Sequence, residues 1–107
     1  ERALRRAAKY GDGWIGAGNT PETVPPILKK LNDLRAEYGN SGGAFETIVG
    51  LYAEQTLDLL KSLGEQGMTS TVNMPFEFSL GKNSSIDEKK RFMERYAKKI
   101  IMPMNLT

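Results

Sequence analysis

The chain has 107 residues, a formal net charge of +2, 39% hydrophobic residues and 26% charged residues, which are the proportions of an ordinary globular domain. It contains no cysteine and no histidine, which excludes disulfides, thiolate catalysis, imidazole acid–base chemistry and most zinc sites. A net charge this small gives no reason to expect nucleic acid as a partner, and no metal site is predicted.

The length and the apolar pattern limit the class of protein further. At 107 residues the chain is at most one domain. No apolar run approaches the length of a membrane span, and no secretory signal pattern is visible. We therefore expect a cytoplasmic protein without a membrane partner.

The first twenty residues predict a helix, a strand and the start of a second helix. Residues 3–10 have an amphipathic pattern that predicts a short helix ending at Gly11. Residues 14–17 are apolar without polar alternation, which predicts a short strand buried on both faces of a parallel sheet.

The same pattern recurs along the chain. After an initial turn, Pro25 and Pro26 lack N–H donors, so a regular helix is expected from about Pro26 until Gly39 ends it. Residues 45–51 have the β-branched and aromatic content of a strand. Thr56 is predicted to cap a third helix that ends around residues 64–67.

The C-terminal third predicts one more strand and one more helix. Residues 68–74 form a weaker strand because they include Ser and Thr, and residues 75–83 are predicted to be a loop. Ser85 and Glu88 have the spacing of a capping box that opens the last helix, and Pro103 is expected to end it. The inward-facing residues predicted on this helix are Phe92, Met93, Tyr96, Ala97 and Ile100.

The resulting order α-β-α-β-α-β-α predicts an α/β protein with parallel strands and right-handed crossovers. A three-stranded parallel sheet has two unpaired edges, and both edge strands here have apolar sequences. We therefore expect this chain to be part of a larger sheet.

The run Gly11-Asp12-Gly13-Trp14-Ile15-Gly16 formally satisfies the G-x-G-x-x-G pattern of dinucleotide-binding folds. That pattern requires a strand before it and a helix directly after it. Here a helix precedes the run and a strand follows, so we interpret it as a helix-to-strand turn.

The run from Ala3 to Trp14, followed by Asn19-Thr20-Pro21-Glu22 and a long helix, resembles the C-terminal part of the luciferase-like flavin monooxygenases. The later segments at 45–51, 56–58 and 65–69 are similar to that family too, and the resemblance extends to about residue 101. The family includes enzymes that use FMN and relatives that use a deazaflavin coenzyme. It is built on a (β/α)8 barrel, or TIM barrel, of about 250 residues.

The resemblance implies where the chain belongs in such a barrel. The helix at 3–10 resembles the fifth helix, and residues 14–17, 45–51 and 68–74 correspond to strands six, seven and eight. Residues 1–107 would then be a single partial domain, the C-terminal part of the barrel. The catalytic residues of the family would lie in the first five strands, so no catalytic residue is expected here.

The resemblance also implies a set of cofactor contacts. Around Ala3, the N-terminus of the first helix resembles the place where the family binds the cofactor phosphate, and Arg6 either holds that phosphate or, as we favour, bridges to a carboxylate such as Asp12. Trp14, the single tryptophan, is favoured as a core aromatic over a flavin-stacking one. The residues expected at the barrel mouth are Ile15, Gly16, Ala17 and Gly18.

The resulting functional hypothesis is the C-terminal part of an oxidoreductase or monooxygenase that is inactive alone. Its partners would be FMN or a deazaflavin coenzyme, a small organic substrate, and either a second copy or the remainder of the barrel. One alternative is a half-barrel that dimerises as a non-enzymatic structural or binding module. Another is an unrelated small α/β domain that binds a phosphorylated ligand at residues 16–19.

Overall fold

A computed structural model describes residues 1–73 and 76–105. The first part comprises α1 (Arg2–Tyr10), β1 (Gly13–Asn19), α2 (Val24–Glu37), β2 (Glu46–Leu51), α3 (Leu57–Glu65) and β3 (Ser70–Val72). A helical region follows, with a π-helical turn (Phe76–Leu80), α4 (Ile86–Tyr96), a second π-helical turn (Ala97–Ile101) and α5 (Met102–Asn105). None of the helices in these ranges has the length and apolar character needed to cross a bilayer.

The three strands form one parallel sheet in the order β1-β2-β3, so each strand lies beside the next one along the chain. Trp14 pairs with Thr47 and Ile15 with Ile48 in the first ladder, and Ile48 pairs with Ser70 in the second. Right-handed crossovers between successive neighbours place their helices on the same face of the sheet. The predicted α/β class with parallel βα units is therefore confirmed.

The core lies between the sheet and these helices. Val49 and Leu51 of β2 are buried on this face, and the indole of Trp14 packs against the same core. The buried cluster consists of Val24, Leu28, Val49, Leu51, Leu60, Leu63, Met68 and Ile100. Removal of this apolar surface from water is the main force that holds α2, α3 and the last helix on the sheet.

The opposite face of the sheet is open to solvent, and its residues are Ile15, Ala17, Ile48, Gly50, Ser70 and Val72. We refer to it as the bare face. Ile15 is 75% exposed and Val72 is 51% exposed. The prediction that β1 is buried on both faces is wrong for the chain as described. Side chains alternate along a strand, so the helices cover Trp14 and Gly16, while no described element covers Ile15 and Ala17.

Two predicted helix caps are confirmed. Thr56 Oγ1 accepts a hydrogen bond of 3.2 Å from the backbone N–H of Leu59. Ser85 Oγ accepts from the N–H of Glu88, whose carboxylate accepts from the N–H of Ser85, both at 3.1 Å. Each cap satisfies amide groups that have no intrahelical partner.

The second helix begins slightly earlier than predicted. A turn closes between Thr20 and Thr23, and α2 begins at Val24. Pro25 and Pro26 therefore lie in the first turn, where missing N–H groups cost nothing because no carbonyl is available to accept from them.

The C-terminal third differs most from the predictions. The third strand covers only Ser70–Val72. Its predicted first residue, Met68, instead donates its N–H to the carbonyl of Leu63 at the end of α3. Met74 and Pro75, which we placed in the strand and the loop, lie outside the described residues. Phe76–Leu80, predicted as part of the loop, forms a π-helical turn.

The last helix runs past Pro103, which does not end it, and the helical conformation continues to Asn105. A proline ring crowds the carbonyl four residues earlier, and the wider π-helical turn directly before Pro103 accommodates this crowding. Met93, predicted to face inward, is 59% exposed. Ile100 is buried, as predicted, because only the lower part of this helix reaches the core.

Candidate functional site

The predicted cofactor residues of β1 surround a bulge at the carboxyl end of the strand. The pairing register shifts between Gly16 and Asn19, so that β1 carries one residue more than β2 over this stretch. Gly18 has a φ of +72°, in the left-handed region that favours glycine. The N–H of Tyr52 donates a hydrogen bond of 2.7 Å to the carbonyl of Asn19, which holds the two strand ends together beyond the bulge. Bulges of this kind often re-aim side chains beside binding sites.

The residues of this stretch divide between the two faces of the sheet. Ile15 and Ala17 lie exposed on the bare face, where a ligand can reach them. Gly16 is buried on the helix face, and a Cβ at this position would collide with the indole of Trp14. Because Trp14 packs against the core on that face, the prediction of a core aromatic is confirmed.

The start of α1 lies beside α2. Glu1 Oε1 is 3.0 Å from Nζ of Lys30, and this contact places Glu1 beside the middle of α2. Lys30 lies six residues beyond the start of α2 at Val24, a distance of about 9 Å along the helix axis. Among the described residues, no hydrogen bond joins Ala3 to the predicted mouth residues Ile15–Gly18.

Arg6 is exposed on α1, and within the described ranges its guanidinium forms no ion pair. The favoured bridge to Asp12 is therefore not formed. The carboxyl group of Glu1 is paired with Lys30 and not with Arg6. The hydrogen bond from Lys30 is the chief reason why the pKa of Glu1 lies below its ordinary value. Arg6 is free to bind an anion, but along α1 and not at the strand end.

A second group of polar side chains lies at the carboxyl ends of β2 and β3, around a cleft of about 150 Å³. We refer to it as the strand-end cleft. Its polar and charged lining consists of Glu54, Gln55, Asn73, Ser79, Arg95, Tyr96 and Lys99. No site residue was predicted here from the sequence, although the C-terminal ends of strands in βα folds are where binding sites form.

Gln55 is the centre of a hydrogen-bond network in this cleft. Its side chain is buried, with 7% exposure, and Nε2 donates to Thr71 Oγ1 and to the carbonyl of Val72, both at 3.2 Å. The phenol of Tyr96 donates to Gln55 Oε1 at 2.7 Å. The network ties the loop after β2 to β3 and to the last helix, and it fixes the orientation of both side chains.

Tyr96 stays protonated over the neutral range. Burial raises the pKa of its phenol, although a hydrogen bond with the side chain of Asn73 acts in the opposite direction. Its ring lies 6.2 Å from the ring of Phe92, with an angle of 23° between the planes. The aromatic stack and the hydrogen bonds together make the floor of the cleft rigid.

No protein-family model matches the chain, and no solved structure matches it. Similar curated proteins include uncharacterized protein Mb0965c of Mycobacterium bovis and uncharacterized protein Rv0940c of Mycobacterium tuberculosis, each 30% identical over 103 residues. Each match covers 94% of this chain but 35% of the relative. The chain thus spans about a third of the length of these relatives, which have about 290 residues.

Proposed function

We propose that this chain forms three consecutive βα units of a (β/α)8-barrel oxidoreductase of the luciferase-like type, and that it is inactive alone. The observation that carries the proposal is the bare face. In a barrel, the sheet face turned away from the helices is the packed interior. Ile15 and Val72, which are exposed in this chain, are apolar side chains of the kind that fill such an interior.

The strand order supports the same architecture. In a doubly wound sheet the strand order reverses, and helices cover both faces. Here the order β1-β2-β3 has no reversal, and the described helices that pack on the sheet share one core on one face. Continued around a circle, this arrangement closes into a barrel with a single outer layer of helices.

The length of the relatives fits one barrel. Three strands of eight are slightly more than a third, and the chain covers 35% of each relative. A relative of about 290 residues has room for the roughly 250 residues of a single barrel.

The class of reaction rests on the resemblance of the segment from Ala3 to Trp14 to the luciferase-like family. In that class a bound FMN or deazaflavin supplies the hydride or oxygen chemistry, and the protein binds and orients the reactants. We propose that the partners of this chain are such a coenzyme, a small organic substrate and the remaining strands of the barrel.

The residues at the end of β1 suit one part of the coenzyme. Ile15 and Ala17 offer apolar surface on the bare face, and the bulge at Gly18 lets the backbone approach a ligand closely, as a flat aromatic ring system requires. For the coenzyme phosphate, Ala3 and Arg6 do not form a cradle at the end of β1, because both lie along α1. We assign ring contacts to Ala17 beside the bulge, with Ile15 below it in the packed interior, and no phosphate contact.

The half-barrel dimer explains the bare face less well. Two copies would contribute six strands, whereas the smallest barrels whose interior is filled by side chains have about eight. The remaining strands of one chain satisfy that count, so we favour the single barrel.

The test is made on the protein as its gene encodes it. We expect a monomer on the order of 30 kDa that binds one equivalent of FMN or of a deazaflavin coenzyme, measured by equilibrium dialysis. Residues 1–107 alone serve as the control and should bind neither. A gene product of only 11.9 kDa, or a longer protein that binds neither coenzyme, would overturn the proposal.

A further inference from the structure

The last helix presents two cations to the strand-end cleft. Arg95 and Lys99 are four residues apart, and both side chains line the cleft. Within the described ranges neither forms an ion pair with a carboxylate. The two like charges repel each other, and an anion bound between them would offset that repulsion.

The rest of the cleft lining also suits an anion. Asn73 and Ser79 add an amide and a hydroxyl group that can donate hydrogen bonds, from the end of β3 and from the π-helical turn. Among the described side chains that line the cleft, Glu54 is the one carboxylate, so the cations outnumber it. The volume of about 150 Å³ corresponds to about five water molecules, which is enough for a tetrahedral oxyanion.

Arg95 is held in a defined place at the cleft. Its guanidinium carbon lies 5.9 Å from the centre of the Phe92 ring, within the range of a cation–π contact. Phe92 is itself stacked on Tyr96, whose phenol is anchored to Gln55. A positioned guanidinium can offer two parallel N–H donors to one oxyanion.

We propose that the strand-end cleft binds the phosphate of a small-molecule phosphate monoester, with Arg95 and Lys99 supplying the charge and Asn73 and Ser79 supplying hydrogen bonds. The two cations and two neutral donors suit the three acceptor oxygens of a phosphate better than the two oxygens of a carboxylate, although Glu54 leaves the lining with one net positive charge. The inference goes beyond the oxidoreductase proposal and does not depend on it, because it uses no bare-face residue and applies to a phosphate monoester of any kind, FMN included.

The experiment titrates the protein, as its gene encodes it, with inorganic phosphate at constant ionic strength and records amide chemical shifts. We expect saturable shifts centred on Ser79, Arg95 and Lys99. Arg95→Gln and Lys99→Gln should each weaken phosphate binding about tenfold, the usual effect of losing one charged hydrogen bond. Lys90→Gln is the matched control, because Lys90 is exposed on the same helix but does not line the cleft.

Acetate, titrated in the same way, distinguishes a phosphate site from a carboxylate site, and we expect it to bind at least about tenfold more weakly because it carries one charge. Equal affinity for acetate would overturn the phosphate assignment. Chemical shifts that do not saturate would overturn the cleft as a binding site. An equal loss of phosphate affinity in the Lys90→Gln control would overturn it too. A protein that binds phosphate in the cleft but neither coenzyme would contradict only the oxidoreductase proposal.

Discussion

The phenol of Tyr96 lies 2.7 Å from Oε1 of Gln55, and this hydrogen bond joins residues 41 positions apart in the chain. It fastens the last helix to the loop after β2, beside the end of β3. Because Gln55 is buried, loss of this bond would leave its amide oxygen without its donor.

Replacing the phenol tests how much this bond stabilises the fold. Tyr96→Phe keeps the ring but leaves Gln55 Oε1 without its donor, so we expect the free energy of unfolding to fall by about 1–3 kcal/mol. Urea unfolding followed by circular dichroism measures the difference. Tyr10→Phe is the control, because Tyr10 is 75% exposed and should change stability little. An equal effect of the two substitutions would contradict the assigned role of Tyr96.

The same phenol predicts a loss of stability in alkali. Its folded-state pKa is raised above the ordinary value of 10.0, chiefly by burial. The unfolded chain therefore releases this proton first, so the stabilising contribution is complete below about pH 10 and decreases as the pH rises through the folded-state pKa. Urea midpoints from pH 8 to about pH 11 should fall less steeply in Tyr96→Phe than in the unsubstituted protein. If the urea midpoints of the two proteins fall in parallel as the pH rises, Tyr96 contributes nothing to the loss of stability in alkali.

Gly16 should not tolerate a side chain. A Cβ there would collide with the indole of Trp14 and lie 2.8 Å from Nδ2 of Asn19. We expect Gly16→Ala to cost about 1–3 kcal/mol of unfolding free energy and to shift the fluorescence of Trp14, the single tryptophan. Gly42→Ala is the control, since a Cβ at Gly42 has no neighbour within 4 Å, and it should be close to neutral. An unchanged Trp14 spectrum in Gly16→Ala would rule out the predicted collision.

Two adjacent serines offer a matched test of the cap of α4. Ser85 Oγ accepts from the N–H of Glu88, so Ser85→Ala should cost about 1 kcal/mol. Ser84 Oγ is buried and has no hydrogen-bond partner among the described residues, so Ser84→Ala should be neutral or slightly stabilising. Thermal unfolding of both variants measures the contrast, and the reverse order of stability would contradict the observed capping box.

The features that the sequence predicted well depend on neighbours within a few residues. Thr56 and Ser85 were predicted as caps because each hydroxyl lies close in sequence to the backbone amide from which it accepts a hydrogen bond. The parallel order followed from the alternation of helices and strands. The contact between Gln55 and Tyr96 depends on the packing of distant elements, and no local pattern indicated it.

The exposure of Ile15 was not predictable from its own type or from its neighbours in sequence. An apolar residue in a strand is usually buried, and whether it is buried depends on what covers that face of the sheet. The pattern correctly predicted a strand at β1. It could not show that every described helix on the sheet packs against the face that carries Trp14 and leaves the bare face uncovered. That difference between expectation and structure is the main support for the barrel proposal.

The barrel proposal makes a specific prediction for Ile15. In the protein as its gene encodes it, the remaining strands would bury this side chain, so Ile15→Ala should cost about 2–5 kcal/mol of unfolding free energy. Tyr10→Ala is a matched control, because Tyr10 and Ile15 are both 75% exposed in this chain. Tyr10 lies on the outer helix α1, where removal of an exposed side chain costs about 0.5 kcal/mol. Urea unfolding measures both variants. A loss of unfolding free energy in Ile15→Ala well above that in Tyr10→Ala requires that the bare face be covered. Small and equal losses would show that this face stays open to water.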